Sequence, residues 1–82
     1  MKIIIDVDME IKAKKINTAL NRFFKKYPNL EYWKETLEWM YENGQDFFSD
    51  NFDNMGNKIP WSYALHLDIN ENSIYIAIIE RM

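Results

Sequence analysis

The sequence has no cysteine, one histidine, two glycines and two prolines among its 82 residues. Without cysteine there is neither a disulfide framework nor a thiolate nucleophile. A single histidine, His66, leaves no ligand set for zinc, and no cofactor is expected. Two glycines cannot build a phosphate-cradling loop, and no G-x-S-x-G elbow occurs. Long apolar runs are missing too. The longest, Ile74 to Ile79, has the length of a strand and cannot span a bilayer. The apolar start, Ile3 to Ile5, is too short for the core of a secretory signal. These absences favour a cytoplasmic, non-enzymatic protein.

What is present is a rich core on a short chain. Residues of the apolar set make up 48%, and aromatics 16%, so a single folded domain is expected rather than a disordered segment. Isoleucine, lysine and asparagine together fill 28 positions, a bias that hints at AT-rich coding DNA of a low-GC bacterium or its phages.

The residue pattern predicts an α+β domain in the order β-α-α-α-β-β. Alternation of Ile3, Ile5 and Val7 with Asp6 and Asp8 predicts a strand over 2–8. Ala13, Ile16, Ala19, Leu20, Phe23, Phe24 and Tyr27 share one arc of a helix over 10–26 that ends before Pro28. Asn29 is placed to cap a second helix over 30–43, whose apolar stripe is Leu30, Trp33, Leu37, Met40 and Tyr41. Asn43-Gly44 supplies its stop. Phe47, Phe48, Phe52 and Met55 recur at helical spacing and predict a short third helix over 45–54. A hairpin over 59–69 and 73–81 follows, turning at Asn70-Glu71-Asn72. Three strands, with the last one central, and helices on one face complete the expectation.

Charge is sorted along the chain. Six basic residues lie between Met9 and Leu30 against one acid, and seven acids lie between Glu31 and Asn57 against one lysine. Such opposed faces steer partners more than they determine fold. The basic side, Lys14, Lys15, Arg22, Lys25 and Lys26, has the spacing of an ordinary solvated helix face. The acidic side is less ordinary. Glu31, Glu35, Glu38, Glu42, Asp46, Asp50 and Asp53 step by three or four residues, as one ridge through Gly44 or two adjoining ridges. Lys34 alone compensates them, and like charges at this spacing repel. Tyr32 and Trp39 fall off the apolar stripe and border the acids, either as exposed interface anchors or as buried residues of a helix sandwiched on both sides.

Other constellations are weaker. Asp6 and Asp8 share a strand face but lack further ligands, and a helix cap or exposed edge explains them. Asp50, Asp53, Asn54 and Gly56 lack the closing glutamate of a calcium loop. His66 has no nucleophile within reach, because Ser62 is four strand residues away.

These features predict an interaction protein that binds a basic surface of another protein through Glu31, Tyr32, Glu35, Glu38, Trp39, Glu42, Asp46, Asp50 and Asp53. A nucleic-acid-mimicking inhibitor of the anti-CRISPR or anti-restriction kind, encoded by a phage, is its narrower form. The alternatives are a nucleic-acid-binding regulator using the basic helix, an antitoxin or immunity protein, and a self-associating module pairing basic helix with acidic ridge.

Overall fold

Ile5, Val7, Met9 and Ile11 are more deeply covered than Asp6, Asp8 and Glu10 between them, so the first strand has one face inward. That face begins the core of a small α+β domain. The computed structural model describes residues 3–50 and 62–81. Its elements are β1 (Ile3–Ile11), α1 (Ile16–Lys26), a 3-10 segment (Pro28–Trp33), α2 (Lys34–Glu42), β2 (Phe47–Asp50), β3 (Ser62–Ile69) and β4 (Ile74–Arg81). The four strands form one antiparallel sheet in the order β1-β4-β3-β2.

β4 lies between two neighbours, and its residues alternate between fully buried and half-buried. Ile74, Ile76 and Ile78 meet Leu65 and Leu67 of β3 and Ile11 of β1 on one side of the sheet. On that side α1 lays down Ala19, Leu20, Phe23 and Phe24, and α2 lays down Leu37 and Met40, with Leu30 between the helices. Each such side chain contributes roughly 1.5–3 kcal/mol on burial. The opposite side of the sheet, bearing Asp6, Asp8, Glu10, His66, Asp68 and Tyr75, carries no helix among the described residues.

Several expectations need correction. The third helix over 45–54 is not formed: Phe47–Asp50 is a strand, paired Phe47 to His66 and Phe48 to Leu65. The sheet therefore has four strands rather than three. Two adjacent phenylalanines suit either period, and the open edge of β3 offers a backbone ladder that an isolated helix turn lacks. The remainder of that expected helix, with Asp53, and the first residues of the expected hairpin, 59–61, lie outside the described residues.

The strand expected over 2–8 continues to Ile11, and the helix expected from 10 begins at Ile16. Here Glu10 and Ile11 pair with Tyr75 and Ile74, and Ile11 is buried, so the ladder outlasts the local helical pattern. Asn29 does not cap the second helix. Pro28 opens a 3-10 turn in which the Leu30 amide donates to the Tyr27 carbonyl at 3.0 Å, and α2 starts only at Lys34. Gly44 takes φ +67° after α2, the left-handed conformation that turns the chain back toward the sheet.

Candidate functional site

α2 and the 3-10 segment present two kinds of side chain to solvent. Glu31, Glu35 and Glu42 are exposed and Glu38 is half-buried. Among the described residues none of these four carboxylates is ion-paired. Lys34, the one cation near them in sequence, turns the other way and donates from Nζ to Asn21 Oδ1 of α1 at 3.4 Å. The stripe from Glu31 to Glu42 thus keeps its negative charge uncompensated over ~17 Å of helical rise.

Beyond Glu42 the acids do not continue this stripe. Gly44 ends the helix, and Asp46 sits at a bend where its carbonyl accepts the Leu67 amide at 2.9 Å. Asp50 belongs to β2, opposite Tyr63. The ridge expected from Glu31 to Asp53 is therefore shortened to Glu35, Glu38 and Glu42 on α2, with Glu31 on the 3-10 segment before it. Side chains four apart share a face on a helix but not across a turn into a strand.

The aromatic residues beside the stripe are arranged in a row. Trp39 is 47% exposed and Tyr32 59% exposed. Trp39 meets Phe48 of β2 edge-on, with ring centres 5.9 Å apart. Phe48 lies 5.9 Å from Tyr63 of β3, and Tyr63 lies 4.6 Å from Trp33. Trp33 in turn is 5.4 Å from Tyr32. Between α2 and this end of the sheet the rings border a groove of about 410 Å³, lined by Trp33, Glu35, Thr36, Trp39, Phe48 and Tyr63.

One buried carboxyl group holds part of this row. Glu80 of β4 has no solvent exposure, although it continues the inward positions Ile74, Ile76 and Ile78. Tyr32 donates its hydroxyl to both Glu80 oxygens, at 2.7 and 2.8 Å. Trp33 Nε1 donates to Glu80 Oε2 at 3.3 Å. A buried polar group of this kind is costly unless satisfied, so the contact fixes the 3-10 segment against the sheet. Burial of the hydroxyl end, and then the bond to Glu80, push the Tyr32 phenol up to about 12. The ring can be largely exposed and its hydroxyl tucked inward, because Tyr has an apolar body and a polar tip.

Sequence reasoning missed Phe48, Tyr63 and Glu80 as site residues. Phe48 and Tyr63 reach α2 only through strand pairing. For Glu80 a signal existed: an acid at the inward period of an isoleucine strand needs partners.

The basic residues Lys14, Lys15, Arg22, Lys25 and Lys26 are all exposed along α1 and just before it. Two are engaged locally. Arg22 Nη1 donates to the Lys12 carbonyl at 2.7 Å, and Lys26 Nζ stands 5.4 Å from the centre of the Tyr27 ring. On the side of the sheet facing away from α1 and α2, Tyr75 donates to Asp8 Oδ2 at 2.8 Å and its ring meets His66 at 5.5 Å. The bond to Asp8 raises the Tyr75 phenol, with burial adding to it. Among the described residues no three His, Asp or Glu side chains come together as a metal site, and no helix is long and apolar enough to cross a membrane. No family model, no curated protein and no solved structure matches the chain.

Proposed function

We propose that this chain is a non-enzymatic interaction protein that binds a basic surface of another protein through the α2 glutamate stripe and the aromatic rings beside it. The observation that carries the reading is the pairing of four carboxylates, none ion-paired among the described residues, with the exposed side chains of Trp39 and Tyr32. Carboxylates steer a cationic partner and set its association rate. Large exposed aromatics supply the affinity that exposed charge alone does not. A role as a cytoplasmic inhibitor fits this surface, as does an immunity or antitoxin role, which uses the same physics.

The nucleic-acid-mimicking form is narrower. At roughly 3.4 Å per base pair, a stripe of ~17 Å matches about five base pairs of one strand. Such a length suits one basic helix or the mouth of a basic groove, not a long duplex channel. Direct nucleic-acid binding by α1 is the less favoured reading, since Arg22 is held by a backbone carbonyl and Lys26 lies near a tyrosine ring.

Glu31→Lys, Glu38→Lys and Glu42→Lys together test the reading while leaving the groove-lining Glu35 in place. Removal of like charges leaves the helix intact, which circular dichroism checks. Host proteins retained by the immobilised wild-type chain at low salt should be released near 0.5 M salt, where screening is strong, and should not be retained by the triple variant. Retention of the same proteins by the triple variant, or a nucleic-acid mobility shift by the wild type at low salt, would refute it.

A further inference from the structure

We infer that the groove between α2 and the β2–β3 end of the sheet is a receptor for an arginine side chain projecting from the partner. This rests on the reading of α2 as the binding face and names the chemistry that face selects. Trp33, Trp39, Phe48 and Tyr63 line the groove, and Glu35 and Thr36 supply its polar wall. The groove is shallow and open to solvent, with a volume of about 410 Å³.

Ring faces carry negative potential, and a carboxylate at the wall adds to it, so the occupant is a cation. The row of rings favours a planar, weakly hydrated guanidinium over a compact ammonium. Charge complementarity extends past the groove, because Glu38 and Glu42 continue along α2 and Glu31 precedes it in the 3-10 segment, none of them ion-paired among the described residues.

The receptor is also built before any ligand arrives. Trp33 is pinned by its indole bond to Glu80 and by the Tyr63 ring at 4.6 Å. Trp39 is braced edge-on by Phe48. Rings held in place lose little freedom on binding, which raises affinity for a given contact. Glu80, buried beneath Tyr32 and Trp33, is a positioning residue and does not touch the arginine.

The test titrates labelled protein with Gly-Ser-Arg-Ser-Gly and with the same peptide carrying citrulline, lysine or leucine in place of arginine. The readout is the indole Nε1 resonances of Trp33 and Trp39, with Trp61 assigned through Trp61→Phe. The arginine peptide should shift both indoles saturably, and citrulline, which has nearly the same shape without the charge, should bind at least ~10-fold more weakly. Trp39→Ala should weaken binding by ~2–30-fold, the range of a cation over an aromatic ring. Glu35→Gln should weaken it by ~2–5-fold and make it less salt-sensitive.

Unshifted indoles, or equal binding of the citrulline or leucine peptide, would overturn the inference. So would tighter binding of the lysine peptide. Failure here is separable from failure of the parent reading. If Trp39→Ala binds the partner with unchanged affinity while the Glu31, Glu38 and Glu42 reversals abolish binding, the acidic face stands and the arginine receptor falls.

Discussion

Replacing Tyr32 by phenylalanine removes one oxygen from a chain of 82 residues, and the structure says what that oxygen does. Its hydroxyl is the closest donor to Glu80 among the described residues, at 2.7 and 2.8 Å, while their other side-chain donor to it, Trp33 Nε1, stands at 3.3 Å. Glu80 has no exposure, so water cannot take the place of the lost hydroxyl without the 3-10 segment lifting from the sheet. Leaving a buried acceptor short of a donor costs about 1–3 kcal/mol. The ring itself is largely exposed and is retained in phenylalanine, so lost packing adds little. In a domain of this size each kcal/mol lowers Tm by roughly 4–8 °C. Calorimetry or urea unfolding of Tyr32→Phe should therefore show a fall of at least ~4 °C. A double-mutant cycle with Glu80→Gln should give a coupling of ~0.5–3 kcal/mol.

The pH profile supplies a second readout. The unfolded phenol ionises near pH 10, whereas the folded one holds its proton to about 12. In that interval the unfolded chain binds fewer protons than the folded chain, so stability falls as pH rises. The contribution is complete below pH 10 and is lost as pH climbs through about 12. Tyr75, raised by its bond to Asp8, acts in the same direction and is untouched by the substitution. The alkaline slope should be shallower in Tyr32→Phe and not absent. A variant as stable as the wild type, with zero coupling to Glu80 and an unchanged alkaline slope, would refute this account of the buried carboxyl.

Two further outcomes follow from the fold. Phe23 is fully buried, with Phe24 and Tyr27 rings each 5.1 Å away, so Phe23→Ala should cost about 3–5 kcal/mol and shift the urea midpoint without changing its slope; a loss below ~1 kcal/mol would mean that the core is organised otherwise. Gly44 has open space around the position of a Cβ but a φ of +67°, so Gly44→Ala should cost ~1 kcal/mol through the backbone alone and Gly44→Asn distinctly less. Equal stability of the alanine and asparagine variants would argue against that conformation.

The amphipathic arc of α1 and the alternation along β1, β3 and β4 were legible because each is a local period repeated over two or more turns or pleats. The spacing of the acids from Glu31 to Glu42 follows from the same arithmetic, whereas whether Tyr32 and Trp39 are exposed or buried was open in the sequence and was decided by the packing. Phe47–Asp50 was illegible for the complementary reason. Four residues hold less than one clear period, and the partner that makes them a strand, β3, lies beyond a separate segment of chain.

Local chemistry by itself thus determined which faces of the helices are apolar, which are charged, and where Gly44 turns the chain. Tertiary structure alone decided that the sheet has a fourth strand, and that its Phe48 and the Tyr63 of β3 stand against Trp39 and Trp33 to line an open groove. It also decided the fate of Glu80, whose hydrogen-bond donors come from residues 32 and 33, nearly fifty positions away. The division has one physical reason. Side-chain periodicity is a property of neighbours in sequence, whereas strand pairing and the satisfaction of a buried polar group depend on whatever the rest of the chain brings to that point in space.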